Sequence, residues 1–337
     1  MTDHEGIHPG NEGARERHPE HTHGTIDRAL LSSERGIWAI KWSLAALVAT
    51  ALLQVFVVSF TGSVALLADT VHNFGDALTS IPLWIAFTLS RRPANKRFTY
   101  GYGRAEDIAG LFILLMILIS GLVAGYESFR RLIEPQTVRN LWAVIAAAII
   151  GFLGNEGVAW FRIRVGKQIG SAALVADGYH ARVDGLTSLV VLAGAIGVWL
   201  GFPLADPVVG LLITAAIFKI LWDIGKSVFL RIMDAVDPDV VDDIHHTVKS
   251  IPEVLDISDV RVRWMGHRMH AELSISVDPE LNVSQGHHIA MDIQHQLLHK
   301  LIYLASASIH IDPMNLSGET YHKISSHEHN ELHAHSH

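Results

Sequence analysis

The chain has 337 residues, 49% of them hydrophobic, a formal net charge of −8 and no cysteine, with a mean hydropathy of +0.28. The acidic balance gives no footing for nucleic-acid binding. The absence of cysteine rules out a disulfide scaffold and any soft thiolate metal site. The hydropathy average blends an apolar middle with polar, histidine-rich ends.

Residues 1–36 are polar, with His4, His8, His18, His21 and His23 among Gly, Glu and Pro. They read as a disordered tail, and they lack the apolar run of a cleaved signal peptide. Six apolar segments follow, near 38–60, 63–89, 108–126, 140–160, 173–200 and 207–226. Each is about the length that crosses a bilayer. The chain therefore reads as an integral membrane protein whose transport domain spans 37–230. Arg91, Arg92, Lys96, Arg97 and Arg104 fall between spans two and three, and Arg162, Arg164 and Lys167 between spans four and five. That bias places both termini in the cytoplasm, against the vote of Arg130, Arg131 and Arg139 in the loop after span three. The plasma (inner) membrane is the expected location.

After Asp234 the pattern changes. DPDVVDDIHHTVKSI has helical spacing and stops at Pro252, VLDISDVRVRW and HAELSISVD alternate like strands, SQGHHIAMDIQHQLLHKLI is helical, and ASASIHID is a last strand. The order α-β-β-α-β over residues 231–316 predicts a small two-layer α+β domain on the cytoplasmic side. Residues 317–337, ending HEHNELHAHSH, read as a second disordered histidine tail.

Two stretches carry the chemistry. LLADTVHNFGDALTS (66–80) and LVADGYHARVDGLTS (174–188) share one pattern, with Asp, His and Asp recurring 108 residues apart, from position 72 to position 180. The copies lie three spans apart, so their helices run in opposite directions. Inverted repeats of transporters have this form, with the substrate site at the repeat interface. Of 22 histidines, only His72 and His180 fall within the spans, and each is followed four residues later by Asp76 or Asp184. Spacing i, i+4 puts imidazole and carboxylate on one helix face. Two such helices face to face offer two nitrogens and two oxygens to one ion, a set that suits Zn2+. Ionisable groups at this depth cost at least about 2.5–3.5 kcal/mol each, and a divalent cation offsets that cost. A single such residue could equally be an interhelical hydrogen-bond partner; a duplicated pair argues against that. Asp69 and Asp177, one turn before each histidine, read either as groups on the access path that support the ligands or as structural residues. Asn73, Asn155 and Glu156 lean toward structural roles. No His-Glu-x-x-His or clustered histidine boxes occur, so an enzyme is not expected.

Six spans with paired His-x-x-x-Asp and a cytoplasmic α+β domain ending in His-x-Asp-Pro resemble the cation diffusion facilitator family. The loop RRPANKRFTYGYGRAE (91–106) is similar to that family's pattern as well. The resemblance implies a homodimeric antiporter that expels divalent metal in exchange for protons. By position, His72, Asp76, His180 and Asp184 match the transport site, and His at 72 matches members that favour zinc. In the cytoplasmic domain, with the ferredoxin-like fold the family implies, His287, His310 and Asp312 match metal-binding positions, so Zn2+ enters as cargo and as a candidate regulatory ligand. Asn95, Phe98 and Tyr102 stand where some members have loop ligands, and no metal is expected there. Ser258 and Ser274 replace strand ligands, for which His267 and His270 are candidate substitutes. His245, His246, His288, His295 and His299 read equally well as surface histidines. The family also pairs a basic residue heading span three with an acid after span six, positions that Arg104 and Asp234 match; an interfacial Arg and an ordinary Asp is the equal alternative. A carrier for Co2+, Cd2+ or Fe2+, or a non-transporting metal sensor, is the competing expectation.

Overall fold

The computed structural model describes residues 25–61, 79–133, 141–202, 204–316, 327–329 and 332–335. Helix α1 (Thr25–Thr61) is followed by α2 (Ser80–Ser90), α3 (Arg104–Ile133), α4 (Leu141–Ile169), α5 (Ala172–Trp199) and α6 (Ala205–Ile232). Among the described residues, four helices are long and apolar enough to cross a membrane: those covering Leu31–Phe56, Arg104–Ile133, Leu141–Ile169 and Pro207–Ile232. Helix α5 is 28 residues long, about 42 Å at 1.5 Å per residue, and carries the second motif copy. The first copy falls almost wholly outside the described residues; α2 holds only its last residue, Ser80, and the apolar run after it.

The helices pack around a core that includes Ile40, Leu83, Phe87, Ile113, Ile117, Leu174 and Ile217. Many outward apolar side chains, such as Leu111, Leu122, Trp222 and Phe229, are exposed, which is the face a lipid-embedded bundle presents. Helices α4 and α5 form an antiparallel pair joined only by Gly170 and Ser171. Their close approach needs Gly178: a Cβ there would sit 2.7 Å from a side-chain carbon of Ile163 and 3.1 Å from the Ala159 carbonyl. Small residues at a helix crossing do this in membrane bundles.

The soluble domain has the expected element order. It runs α7 (Pro238–Lys249), β1 (Asp256–Met265), β2 (Arg268–Val277), α8 (Val283–Lys300) and β3 (Leu304–Pro313). Its sheet has the order β1-β2-β3, antiparallel between the first two strands and parallel between the last two. Asp237 caps α7 ahead of Pro238, and Asn282 and Gln285 form a reciprocal capping box on α8. Ile244, Val248, Leu273, Ile275, Ile293 and Leu297 fill the space between helices and sheet.

Three expectations change. Helix α1 starts at Thr25, so the end of the predicted tail is helical, and Ser32 and Ser33 become part of the structure. Within the C-terminal tail, β4 (His327–His329) and β5 (Leu332–His335) form a short antiparallel ladder. Arg162 is not in a loop: it lies inside α4 at 1% exposure.

Candidate functional site

His180 and Asp184 sit in the first half of α5, at 1% and 4% exposure. One helical turn brings Nδ1 of His180 to 3.9 Å from Oδ1 of Asp184. The pair thus shares one face, as its spacing requires. His72 and Asp76, the other half of the expected tetrahedral set, lie outside the described residues. Asp69 and Asn73 lie outside them too.

Asp177, one turn toward the start of α5, is fully buried and pairs with Arg162 of α4, Oδ2 to Nη1 at 3.0 Å. The same guanidinium donates through Nε to Ser43 Oγ and through Nη2 to Ser80 Oγ, each at 2.8 Å. One side chain therefore joins α1, α2, α4 and α5. Of the two readings of Asp177, this contact favours the structural one. Asn155 is buried, and Glu156 pairs with Arg182 across the α4–α5 interface at 2.6 Å.

The α4–α5 turn and the start of α3 meet the soluble domain. The two-residue turn Gly266–His267, between β1 and β2, inserts against the first turn of α3. Gly266 has φ +65°, and a Cβ on it would collide with the Gly103 carbonyl at 2.8 Å, so glycine is required twice over. His267, at 3% exposure, places Nδ1 2.7 Å from Glu106 Oε2 and Nε2 2.9 Å from Ser32 Oγ. The Ser171 hydroxyl donates to the other oxygen of Glu106, and Gly266 N donates to Asp107. Nearby, Arg231 of α6 stacks over Trp264 at 4.0 Å and donates to the Gly170 carbonyl. Tyr303 donates its hydroxyl to the Lys167 carbonyl at 3.1 Å. Arg104 and Asp234 do pair, Nη2 to Oδ1 at 2.6 Å, with Asp234 in the left-handed region at φ 58°.

In the soluble domain, His310 Nε2 lies 3.0 Å from Asp312 Oδ1, on the same face of β3. His287 heads α8 and is exposed, beside Gly286, which faces Ile311. Among the described residues, no group of three or more His, Asp or Glu side chains is gathered as a metal site. His267 is committed to Glu106 rather than to a sheet-edge site. His270 contacts Ser306 Oγ at 2.7 Å, and burial together with Arg263 and Arg268 pulls its pKa below the ordinary value. Ser258 donates to the Ser274 carbonyl. In the loop after α2, Asn95 donates to Tyr102 and accepts from two backbone amides, while Phe98 packs on Tyr102.

Residues 40–233 match the model of the cation efflux transmembrane domain, and residues 236–314 match that of the cation efflux cytoplasmic domain. The chain belongs to the cation diffusion facilitator family. Similar proteins include a "Probable cation efflux system protein" of Mycobacterium tuberculosis, 53% identical over 289 residues, covering 86% of this chain and 87% of the relative. "Metal tolerance protein 2" of Oryza sativa subsp. japonica is 27% identical over 328 residues, covering 88% and 84%. Among solved structures, a metal-bound C-terminal domain of the CzcD transporter from Thermotoga maritima aligns at 28% identity with a TM-score of 0.22. It covers 23% of this chain and 88% of that one. As a family member the chain is a cation efflux transporter of the membrane, and relatives of this kind are transporters rather than enzymes.

Proposed function

We propose that this chain exports divalent metal, with Zn2+ as its main cargo, from the cytoplasm in exchange for protons. Its working form is a homodimer of six-span subunits with both termini cytoplasmic. The ion binds between spans two and five, held by His72 and Asp76 from one helix and His180 and Asp184 from the other. The observation that carries this reading is the burial of His180 and Asp184 on one face of α5. A bilayer-embedded imidazole–carboxylate pair is costly, and a second such pair with a cation between them offsets the cost.

Exchange follows from competition. Imidazole binds metal only when neutral, and its ordinary pKa of about 6.5 lies in the working range of both membrane faces. Metal loading from a near-neutral side releases protons, and a more acidic side returns protons and frees the metal. Carboxylates at 76 and 184 supply charge that two neutral imidazoles lack.

In the soluble domain, His310 and Asp312 form the core of a regulatory Zn2+ site that His287 joins. Their mutual contact and the packing of the α8 start beside Ile311 support this. The domain's match to the dimer-forming cytoplasmic family domain supports its role in pairing subunits.

The test is zinc flux into proteoliposomes under an imposed pH gradient. His180→Ala or Asp184→Ala, purified in folded form, is expected to reduce flux to the protein-free background. Wild-type flux in either variant would refute the site.

A further inference from the structure

Positions 177, 180 and 184 are spaced i, i+3, i+7, so three ionisable groups share one face of α5. An ion held by His180 and Asp184 therefore has a third donor, the Asp177 carboxylate, within one helical turn. In the structure that carboxylate is committed elsewhere. Arg162 Nη1 stands 3.0 Å from it, and neither side chain is more than 1% exposed. The guanidinium is itself fixed by Ser43 Oγ on α1 and Ser80 Oγ on α2. Ser80 closes the first motif copy in the sequence, so the clamp touches a residue of each copy.

We infer that Arg162 is a specificity-determining residue: it holds Asp177 out of the ligand set and leaves α5 with one imidazole and one carboxylate. This deepens the site reading above and rests on it. Two nitrogens and two oxygens suit a four-coordinate ion such as Zn2+. A further carboxylate raises both the oxygen count and the negative charge, which favours harder ions of higher coordination number such as Mn2+. Arginine suits the task because its charge does not titrate and its planar fork serves three partners at once. Lysine could neutralise Asp177 but could not also hold both serines in fixed directions.

The experiment compares initial rates of Zn2+ and Mn2+ uptake, each ion alone, in proteoliposomes of full-length protein. R162Q frees Asp177 and is expected to raise the Mn2+:Zn2+ rate ratio by about tenfold, the low end for groups that orient metal ligands. The double variant R162Q/D177N removes the freed carboxylate and is expected to return the ratio to that of the wild type with zinc transport kept. R162K should fall between the two. An unchanged ratio in a zinc-transporting R162Q overturns the proposal. A raised ratio that persists in R162Q/D177N, or a folded double variant without zinc flux, overturns it as well. If R162Q does not elute as monodisperse protein, the double variant, which buries no uncompensated charge, decides alone. H180A run in parallel separates the two levels: normal zinc flux there removes the transport site itself, whereas a change in ratio bears only on Arg162.

Discussion

The ionisable residues of the helical bundle and those of the soluble domain's outer face obey opposite logic. In the interior of the bundle the buried ionisable groups have specific neighbours: Arg162 with Asp177, His180 with Asp184, and Glu106 with His267 from the β1–β2 turn. On α8, by contrast, His287 and His288 are exposed and in ring contact with one another, as are His295 and His299, with centroids 4.4 Å apart. Where water is excluded, an ionisable side chain persists only with a partner, so its position carries information about function. Where water is present, a histidine costs little, and its presence says little.

Substitutions can break or sharpen that contrast. The largest effect on stability is expected at Glu106. Glu106→Ala strips His267 and Ser171 of a shared acceptor, and breaking a buried pair of this kind costs about 3–5 kcal/mol. Thermal unfolding of the detergent-solubilised protein should show a clear drop, and an unchanged transition temperature would mean the pair is incidental. Next comes His270, which lies between the two regimes, half-buried beside Arg263 and Arg268 with its pKa held below 6.5. Below pH 6.5 the unfolded chain takes up a proton at this position that the folded domain resists. Stability is therefore fully present above 6.5, declines as pH falls toward the depressed value, and levels off below it. His270→Gln should shrink the difference in transition temperature between pH 7.5 and pH 5.5 relative to the wild type. Smaller still is Arg104→Ala: its bond to Asp234 is short, but both side chains are about 40–47% exposed, so a loss of at most about 1 kcal/mol is expected. Smallest is the pair His295→Ala and His299→Ala, each within about 0.5 kcal/mol of the wild type and with wild-type zinc flux. A large flux loss there would place function on the exposed face and overturn the contrast.

Much of this was legible in the sequence, for reasons of period. The duplicated His-x-x-x-Asp needed only the 3.6-residue turn to predict that His180 and Asp184 share a face. Alternation in VRVRW and ELSIS marked the two strands. Arg162 was not legible as a buried residue. It stands two positions from Arg164, and in composition the two are equivalent. Two residues along a helix rotate a side chain by about 200°, so one arginine turns into the bundle while the other lies exposed against Trp160. Which one does so depends on how α4 rolls against α5, and no local pattern sets that. His267 was illegible for a related reason. It is one histidine among 22, and what distinguishes it is a contact with Glu106 across 161 positions. The one local hint was its place after Gly266, between the two predicted strands, where a side chain can project away from its own sheet.

The seating of that hairpin has a consequence for dissecting the molecule. A shortened chain ending near Asp234 would retain every described helix of the bundle, yet it would lose the imidazole against Glu106, the indole beneath Arg231 and the phenol on the Lys167 carbonyl. The rim of the bundle that faces this domain would then be left with raw edges. Inactivity of such a fragment would report that damage before it reported anything about sensing or dimer formation.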